Sequence, residues 1–482
     1  VEESNPVILK DMQESGALFA SEQIVHSYPH CWRCKKPIIF RATPQWFCSV
    51  DSFKDEACAA CDDVRWLPAW GIDRMKAMIR ERADWCISRQ RRWGLPIPVF
   101  YCKDCGKPVC TDETIAKISK LFGEFGSNVW FEKDADELVP EGFACPHCGG
   151  KHFEKETDTL DGWFDSGSTH FASMQKDQGF WPATVYLEGL DQYRGWFQSS
   201  LLTAVGALGK GAPFKECVTH GWTVDGEGKA MHKSLGNGVD PFFLVNRYGV
   251  DPVRYFLLRE IPFGSDGNYS TEALLTRTNS DLVNDLGNLV SRTTAMVTQY
   301  FGGEIPSPNA YTELDNELVS LCEETLAKVR TDMDNLSAPD ALADIFRIIQ
   351  RANKYIDETM PWALNKNGDK DRLATVMYVL CECIRFAATL LKPFIPQTSD
   401  RIFEKLGIAS PDNFDGVVKF GGIAPGTKVN KGENLFNRID VAKELAEIKR
   451  LSDEQAAAEA KKEVGNNAKT AAADDKQSGD GD

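Results

Sequence analysis

The apolar positions of this chain change their rhythm about halfway along. From about residue 270 they recur at helical spacing, first as Leu275, Leu282, Leu286, Leu289, Val290, Met296 and Val297. The pattern continues with Leu318, Cys322, Val329, Met333 and Leu336, and again with Leu342, Ile345, Phe346, Ile349 and Ile356. A last stripe runs through Leu373, Val376, Met377, Leu380, Ile384 and Leu391 before Pro393 and Pro396, where proline ends the helix. The spacing predicts a bundle of about four or five helices, each stripe being core. Upstream the signal is mixed. Ile38 to Thr43 reads as a strand, and Tyr28 to Cys34 as the loop before it. Ile72, Met75, Met78 and Ile79 read as a helix, and residues 151–260 alternate short strands with helices, an α/β pattern. The fold class is therefore α/β followed by all-α. Beyond about Lys443 a helical stretch runs into Ala, Lys, Glu, Asp, Asn and Gly, and residues 465–482 lack apolar anchors and are expected to be disordered.

The 482 residues suffice for about two to four domains. No uninterrupted apolar run reaches the ~18 residues of a membrane span. No signal peptide opens the chain and residue 1 is Val, so the start is expected to lie inside a longer protein. A net charge of −16 argues against a generally basic nucleic-acid coat, yet a local basic face suffices for RNA because phosphate contacts are few and local. The fifteen cysteines are odd in number, and several fall in Cys-x-x-Cys pairs, which favours zinc in a reducing cytoplasm over disulfides.

Cys102-x-x-Cys105 and Cys145-x-x-Cys148 are two thiolate pairs, each followed by glycine at Gly106 and Gly149. Four thiolates close a tetrahedral shell around Zn²⁺ and mark a structural site; His147, between two ligands, is expected to be solvated. The run Trp85 to Pro96, WCISRQRRWGLP, is dense in cations and tryptophans and reads either as an interdomain turn with cation–π contacts or as a ligand-binding loop.

The segment Asp225 to Pro241, DGEGKAMHKSLGNGVDP, carries Lys229-Ala230-Met231-His232-Lys233-Ser234, which resembles the KMSKS loop of class I aminoacyl-tRNA synthetases. Before it, HSYPHCWR (His26–Arg33), FRATPQWF (Phe40–Phe47), WCISRQRRWGLPIP (Trp85–Pro98), DTLDGWFDSGSTH (Asp158–His170), YLEGLDQYRGWF (Tyr186–Phe197) and HGWTV (His220–Val224) resemble isoleucyl-tRNA synthetase over about residues 1–241. After it, Arg247 to Glu260, Ile261 to Gly267, NSDLVNDLGNLVSR (Asn279–Arg292), RANKYIDETMPW (Arg351–Trp362) and KGENLFNRID (Lys431–Asp440) resemble methionyl-tRNA synthetase over about residues 242–442. The resemblance changes family at the loop itself, as expected of two related genes joined at a shared motif by recombination or by sequence assembly.

The resemblance implies the C-terminal half of a Rossmann-like catalytic domain with a zinc-binding insertion, then an anticodon-binding helical bundle. Residues 1–70 would be the end of an editing insertion and the return to the core, 71–100 a core segment and 101–150 the zinc insertion. Residues 151–269 would be the second half of the catalytic domain, 270–410 the bundle, and 411–482 a C-terminal segment and disordered linker. In such an enzyme an amino acid attacks the α-phosphate of ATP, used with Mg²⁺, and the acyl group then passes to tRNA; fixed donors and lysines neutralise the developing charge. Lys233, with Ser234, would act on the phosphates. Ala230 stands where the first lysine of the motif belongs, Lys229 sits one residue early, and His232 replaces a serine. Glu188 would meet the substrate ammonium in a pocket. Gly189, Asp191, Gln192, His220 and Gly221 would contact adenylate or nucleotide, and Trp163 and Trp196 would line the isoleucine pocket, against a plain core role. Asn288 and Arg292, four apart on one helical face, with Pro361 and Trp362, would contact the anticodon by stacking and hydrogen bonds, against a merely solvated face. Cys31 and Cys34 resemble a pair that shares zinc with thiols further upstream, a place Cys58 and Cys61 could take.

The HIGH signature of the family does not occur, so the chain alone is expected not to activate amino acids. The first reading is isoleucine–tRNA ligase, since the catalytic half chooses the amino acid. The second is methionine–tRNA ligase, since the anticodon half chooses the tRNA. A third is a non-catalytic tRNA-binding protein built from synthetase parts. The expected partners are tRNA, ATP and isoleucine or methionine, in the cytoplasm, with neither membrane nor DNA; a zinc-ribbon DNA binder would need a basic recognition helix beside the cysteine pairs.

Overall fold

Three parallel strands, Arg65–Leu67, Phe214–His220 and Ala183–Gly189, form a sheet with Phe214–His220 in the middle. The middle strand is the apolar one, as a strand covered on both faces must be: Phe214, Cys217, Val218 and Thr219 are buried. Trp66 lies against Tyr193 and Phe214, and Phe197 against Tyr193 and Phe214, so aromatic rings cover one side of the sheet. This computed structural model describes residues 4–31, 36–231, 237–451 and 454. It divides into a first unit (Val1–Cys58, Ile79–Asp177, Ser199–Gly211) and a second unit (Ala59–Met78, Gln178–Gln198, Ala212–Asp482), which holds the parallel sheet.

The first unit is built on short antiparallel pairs. Phe47–Cys48 pairs with Trp85–Cys86, and Ser88–Arg89 with Thr159–Leu160. Phe100–Cys102 takes Pro108–Val109 on one side and Phe153–Lys155 on the other. Between these last strands the chain makes the helix Asp112–Phe125, started by a reciprocal Thr111–Thr114 capping box. Phe100, Trp130, Leu138 and Phe153 share a small core of their own.

The second unit ends in helices. Glu313–Asp334, Ala338–Thr359, Lys370–Leu391 and Pro396–Leu406 follow the apolar stripes, and the short Pro361–Asn367 stands between the second and third. Proline stands in the first turn of three of them, where its missing N–H costs nothing. The stripe from Leu275 to Val297 is one rod with an irregular middle. Thr271–Arg277 is α-helical, Thr278–Gly287 widens into a π-helix, and Asn288–Phe301 resumes the α-helix.

One expectation changes. Ile38 to Thr43 is not a strand. The Ile38 N–H donates to Pro29 O at 3.1 Å, but no ladder follows among the described residues, and Phe40 is 89% exposed. A β-rich composition does not make a strand without a partner edge. Lys370–Leu391 is long and apolar enough to cross a membrane, but its apolar window is wholly buried. It is the central helix of the bundle, and Glu382 and Arg385 interrupt its apolar run. The expected disorder of 465–482 lies outside the described residues.

Candidate functional site

The carboxyl ends of parallel strands are where α/β sheets hold ligands, and there the register sets Glu188 beside Thr219 and Gly189 beside His220. Glu188 is exposed and makes no side-chain hydrogen bond or ion pair among the described residues. It is thus an open carboxylate at a strand end, not one enclosed in a pocket as expected. A Cβ on Gly189 would lie 2.9 Å from Asp191 Oδ1 and 3.3 Å from the His220 ring, so the strand end closes tightly on these two side chains. Gln192 Nε2 donates to Asp191 Oδ2 at 3.1 Å, and Gln192 Oε1 accepts the Trp196 N–H at 2.8 Å. The Trp196 ring stacks on Tyr186 at 3.9 Å with 9° between planes and is half-buried. Glu188, Gly189, Asp191, Gln192, Trp196 and His220 are therefore placed by one strand pair and the turn after it.

Gly221 needs its missing side chain: a Cβ there would lie 2.1 Å from Ser265 O. Around it the run Ile261 to Gly267 docks onto the strand ends. Gly264 N–H donates to Thr219 O at 2.9 Å, Trp222 N–H to Asp266 Oδ1 at 2.8 Å, and Gly267 N–H to Trp222 O at 2.8 Å. Sequence reasoning named Gly221 but not Asp266, whose role depends on a contact made from a distant part of the chain.

Thr223–Val224 leads into the lysine-bearing loop. Asp225 organises its first turn by accepting the N–H groups of Glu227 at 3.0 Å and Lys229 at 2.9 Å on Oδ1, and Asn237 Nδ2 at 2.8 Å on Oδ2. The Asn237 bond, with the Lys229 N–H, holds the Asp225 carboxyl below the usual range. The Lys229 ammonium is exposed and pairs with Glu227 at 2.7 Å, an arrangement that a phosphate can displace. Lys233 and Ser234, with His232, lie outside the described residues.

In the first unit Asp161 is a nearly buried carboxylate. It accepts Trp85 Nε1 at 3.0 Å, pairs with Arg89 at 3.0 Å and caps the helix Gly162–Gly167 through the Trp163 N–H at 3.4 Å. Nothing in the sequence singled it out. Trp163 on that helix is 44% exposed, which fits a ligand contact better than core. It falls in the other unit from Trp196, so each is placed only within its own. Of the WCISRQRRW run, Trp85 receives Arg82 over its ring at 5.1 Å, whereas Arg91 and Arg92 are exposed and Trp93 is 94% exposed. The cation over Trp85 thus comes from outside the run, and no cation–π contact from the run's own arginines is seen among the described residues.

The four cysteines converge. Cys102 Sγ is 3.6 Å from Cys148 Sγ, Cys105 Sγ is 3.8 Å from Cys145 Sγ, and all four sulfurs lie within 4.8 Å of one another. A tetrahedral ion with ~2.3 Å bonds to sulfur needs edges of about 3.8 Å, so the spacing fits a tetrathiolate metal. The two turns repeat the same bonds. Gly106 N–H donates to Cys102 O at 2.7 Å and Gly149 N–H to Cys145 O at 2.8 Å; Cys102 N–H donates to Lys107 O at 3.0 Å and Cys145 N–H to Gly150 O at 2.8 Å. His147 and Gly150 aim N–H groups at the sulfurs of Cys145 and Cys148, both at 3.4 Å. Burial raises the Cys145 thiol, but the amides of His147 and Cys148 bring it down to about 7. For Cys148 the Gly150 amide lowers the thiol, yet the neighbouring thiols push it up to about 12. Four such sulfurs ionise together only around a cation. His147 is exposed and outside the cluster, as expected. Cys58 and Cys61 belong to no group of metal ligands among the described residues, and Cys34 lies outside them.

In the helical part, Asn288 opens the α-helical stretch after the π-helix, and Arg292 one turn on pairs with Asp357 at 3.2 Å. Asp357 sits in the last turn of Ala338–Thr359, just before Pro361 and Trp362. Met360 between them adopts φ +44°, a left-handed conformation that costs a residue with a side chain about 1–2 kcal/mol. It turns the chain so that Pro361 is buried and Trp362 is 48% exposed. Asn288 also lines a cleft of about 460 Å³ with Asn284, Ser291, Asn434, Phe436 and Arg438.

Two family models match successive parts of the chain. A family model described as tRNA synthetases class I (I, L, M and V) matches residues 2–270, and one described as the anticodon binding domain of methionyl tRNA ligase matches residues 305–456. The isoleucine–tRNA ligase of Caldicellulosiruptor bescii is 41% identical over 420 residues, covering 84% of this chain and 44% of that protein. That of Caldanaerobacter subterraneus subsp. tengcongensis is 56% identical over 257 residues, covering 53% and 27%. Among solved structures, Mycobacterium tuberculosis methionyl-tRNA synthetase in complex with methionyl-adenylate matches with a TM-score of 0.66 and 27% identity, over 86% of this chain and 73% of that one. The chain spans less than half the length of the isoleucine–tRNA ligases it matches.

Proposed function

Because the chain belongs to the class I tRNA synthetases of the I, L, M and V group, we propose that it carries the amino-acid-selecting half of an isoleucine–tRNA ligase site joined to a methionyl-type anticodon module. The observation that carries this reading is the register of Glu188–Gly189 beside Thr219–His220 at the open strand ends. Isoleucine is favoured over methionine by the identity of 56% across 257 residues.

In this reading ATP binds with Mg²⁺ across Gly189, His220 and Gly221, at the carboxyl ends of the parallel strands. Glu188 holds the ammonium of isoleucine, Asp191 and Gln192 hold the adenylate, and Trp196 faces the side chain; Trp163, in the other unit, is a separate candidate for that contact. The loop closes over the phosphates, with Lys233 and Ser234 on the transferring group and Lys229 exchanging Glu227 for phosphate. Zn²⁺ in Cys102, Cys105, Cys145 and Cys148 is structural, since four thiolates leave no open position. Asn288, Arg292, Pro361 and Trp362 receive unstacked anticodon bases. All described cysteines are free thiols, which suits work in the cytoplasm.

The test is binding by the whole chain of two non-hydrolysable aminoacyl-adenylate mimics, isoleucyl- and methionyl-sulfamoyl adenosine, read by calorimetry. Preference for the isoleucyl compound is expected, with both compounds weakened in Glu188→Gln because both carry the ammonium; preference for the methionyl compound would establish the second reading, methionine–tRNA ligase. That second reading has its own support in the methionyl-type module over residues 305–456. Binding of tRNA with neither mimic bound would leave the non-catalytic tRNA-binding reading.

A further inference from the structure

The segment from Asn434 to Leu445 runs across the second unit as a strap, fastened at three places. Arg401 donates to Asn434 O at 2.7 Å and Leu435 O at 2.8 Å. Asn279, in the π-helix, donates to Ile439 O at 2.7 Å and accepts the Ile439 N–H at 2.9 Å. Glu444 accepts the Tyr248 hydroxyl at 2.8 Å and pairs with Arg247. The last two partners stand on the helix Pro241–Tyr248, whose N-cap, Asp240, follows directly on the lysine-bearing loop.

The strap and the loop also share an apolar seat. Leu244, Phe256, Leu274 and their neighbours form a buried cluster, and Met231 from the loop packs on it together with Val441 and Leu445 from the strap. Arg247 holds the Glu444 carboxyl below the usual range, with Tyr248 adding to the effect. A charged group tied twice to one helix fixes that helix better than apolar contact alone, because charge-assisted bonds are directional.

We propose that Glu444 is a positioning residue for the first part of the loop, Asp225–Met231: it ties the helix Pro241–Tyr248 to the strap and so fixes the seat on which Met231 rests. A loop that must close over a nucleotide needs a fixed hinge at its base, and the strap supplies it from the far end of the chain. The inference rests on reading this loop as the one that closes over ATP.

Hydrogen–deuterium exchange of the full chain tests it, read at the Lys229 and Met231 amides, which donate to Asp225 Oδ1 at 2.9 Å and to Thr223 O at 3.0 Å. Glu444→Gln is expected to raise exchange at both several-fold while the amides of Lys370–Leu391 stay protected. Arg247→Glu combined with Glu444→Arg is expected to restore protection, the signature of a direct pair. Unchanged loop exchange in Glu444→Gln would overturn the proposal, and so would loss of protection spread equally over Lys370–Leu391. A parallel arm adds ATP with Mg²⁺ to the unaltered chain. Slower loop exchange supports the nucleotide reading. No slowing, with the Glu444→Gln effect intact, sinks that reading and leaves the positioning role standing.

Discussion

Glu382 and Arg385, one turn apart on the central helix of the bundle, form an ion pair sealed from solvent, with Arg385 Nη2 2.6 Å from Glu382 Oε2 and side-chain exposures of 8% and 0%. The carboxylate also accepts the N–H groups of Gly421 at 2.9 Å and Ile423 at 2.6 Å. Arg385 donates to the carbonyls of Gly416 and Lys419. The pair thus fastens the chain after the last long helix onto the centre of the bundle.

Arg385→Met is expected to destabilise the second unit by about 3–5 kcal/mol, because it leaves a buried carboxylate without its countercharge. Glu382→Gln with Arg385→Met should cost less than Arg385→Met alone. Urea unfolding of the three proteins checks both; equal stability of Arg385→Met and the parent would refute the argument.

Asp315 gives the bundle an acid sensitivity. Burial raises its carboxyl, but Tyr355, Thr312 and Arg372 outweigh burial and hold it below the usual range. The fastening is geometric, with Arg372 at 2.7 Å and the Thr312 N–H at 2.6 Å. A depressed folded pKa stabilises the protein above the unfolded value, ~3.9, and that contribution is lost as pH falls through the folded pKa below it. Midpoints measured from neutral pH down to acid should drop at the acid end in the parent and less in Asp315→Asn, which is less stable at neutral pH. Parallel curves would show that Asp315 is not the group responsible.

Purified chain should contain about one zinc. Cys105→Ser or Cys148→Ser should lose it, and chelation should expose amides between Phe100 and Lys155 while Lys370–Leu391 stays protected. Metal analysis with exchange mass spectrometry reads both outcomes, and a metal-free yet fully protected insertion would count against the site.

Arg292→Ala and Trp362→Ala should each weaken tRNA binding by about 1–3 kcal/mol, the usual worth of a stacked base or a good base contact. Both residues are at least partly exposed, so thermal stability should change little. Filter binding with methionine and isoleucine tRNA transcripts would show which anticodon the module prefers; undiminished binding in both variants would move the RNA surface elsewhere.

Much of this molecule can be read from its sequence where the determinants are local. The helical stripes from Leu318 to Leu391 follow one periodicity, although the last of these helices is buried on every side, and the spacing of the four cysteines foretells their convergence. Contacts made at long range were not legible. Asp161, with Trp85 and Arg89 far from it in sequence, looks like any surface acid, and Glu382 looks like an interruption in an apolar helix. Ile38 to Thr43 misleads for the opposite reason, since composition describes a strand but cannot supply its neighbour. Described residues on the two sides of the loop at which the family resemblance changes touch one another. Thr223–Val224 pairs with Gly267–Asn268, and Gly221 fits against Ser265, so residues from either side of it interlock.

The four-cysteine insertion leaves and re-enters the first unit through neighbouring antiparallel strands, with Cys102 opposite Phe153 and Phe100 opposite Lys155. Its two ends are therefore stitched together before the intervening chain begins. Lengthening or shortening that excursion, for instance around Gly126 or Gly142, does not alter the distance between the residues that flank it. The region is thus a side branch, and a change in its size is expected to leave in place the helix Gly162–Gly167, which carries Trp163 and is capped by Asp161.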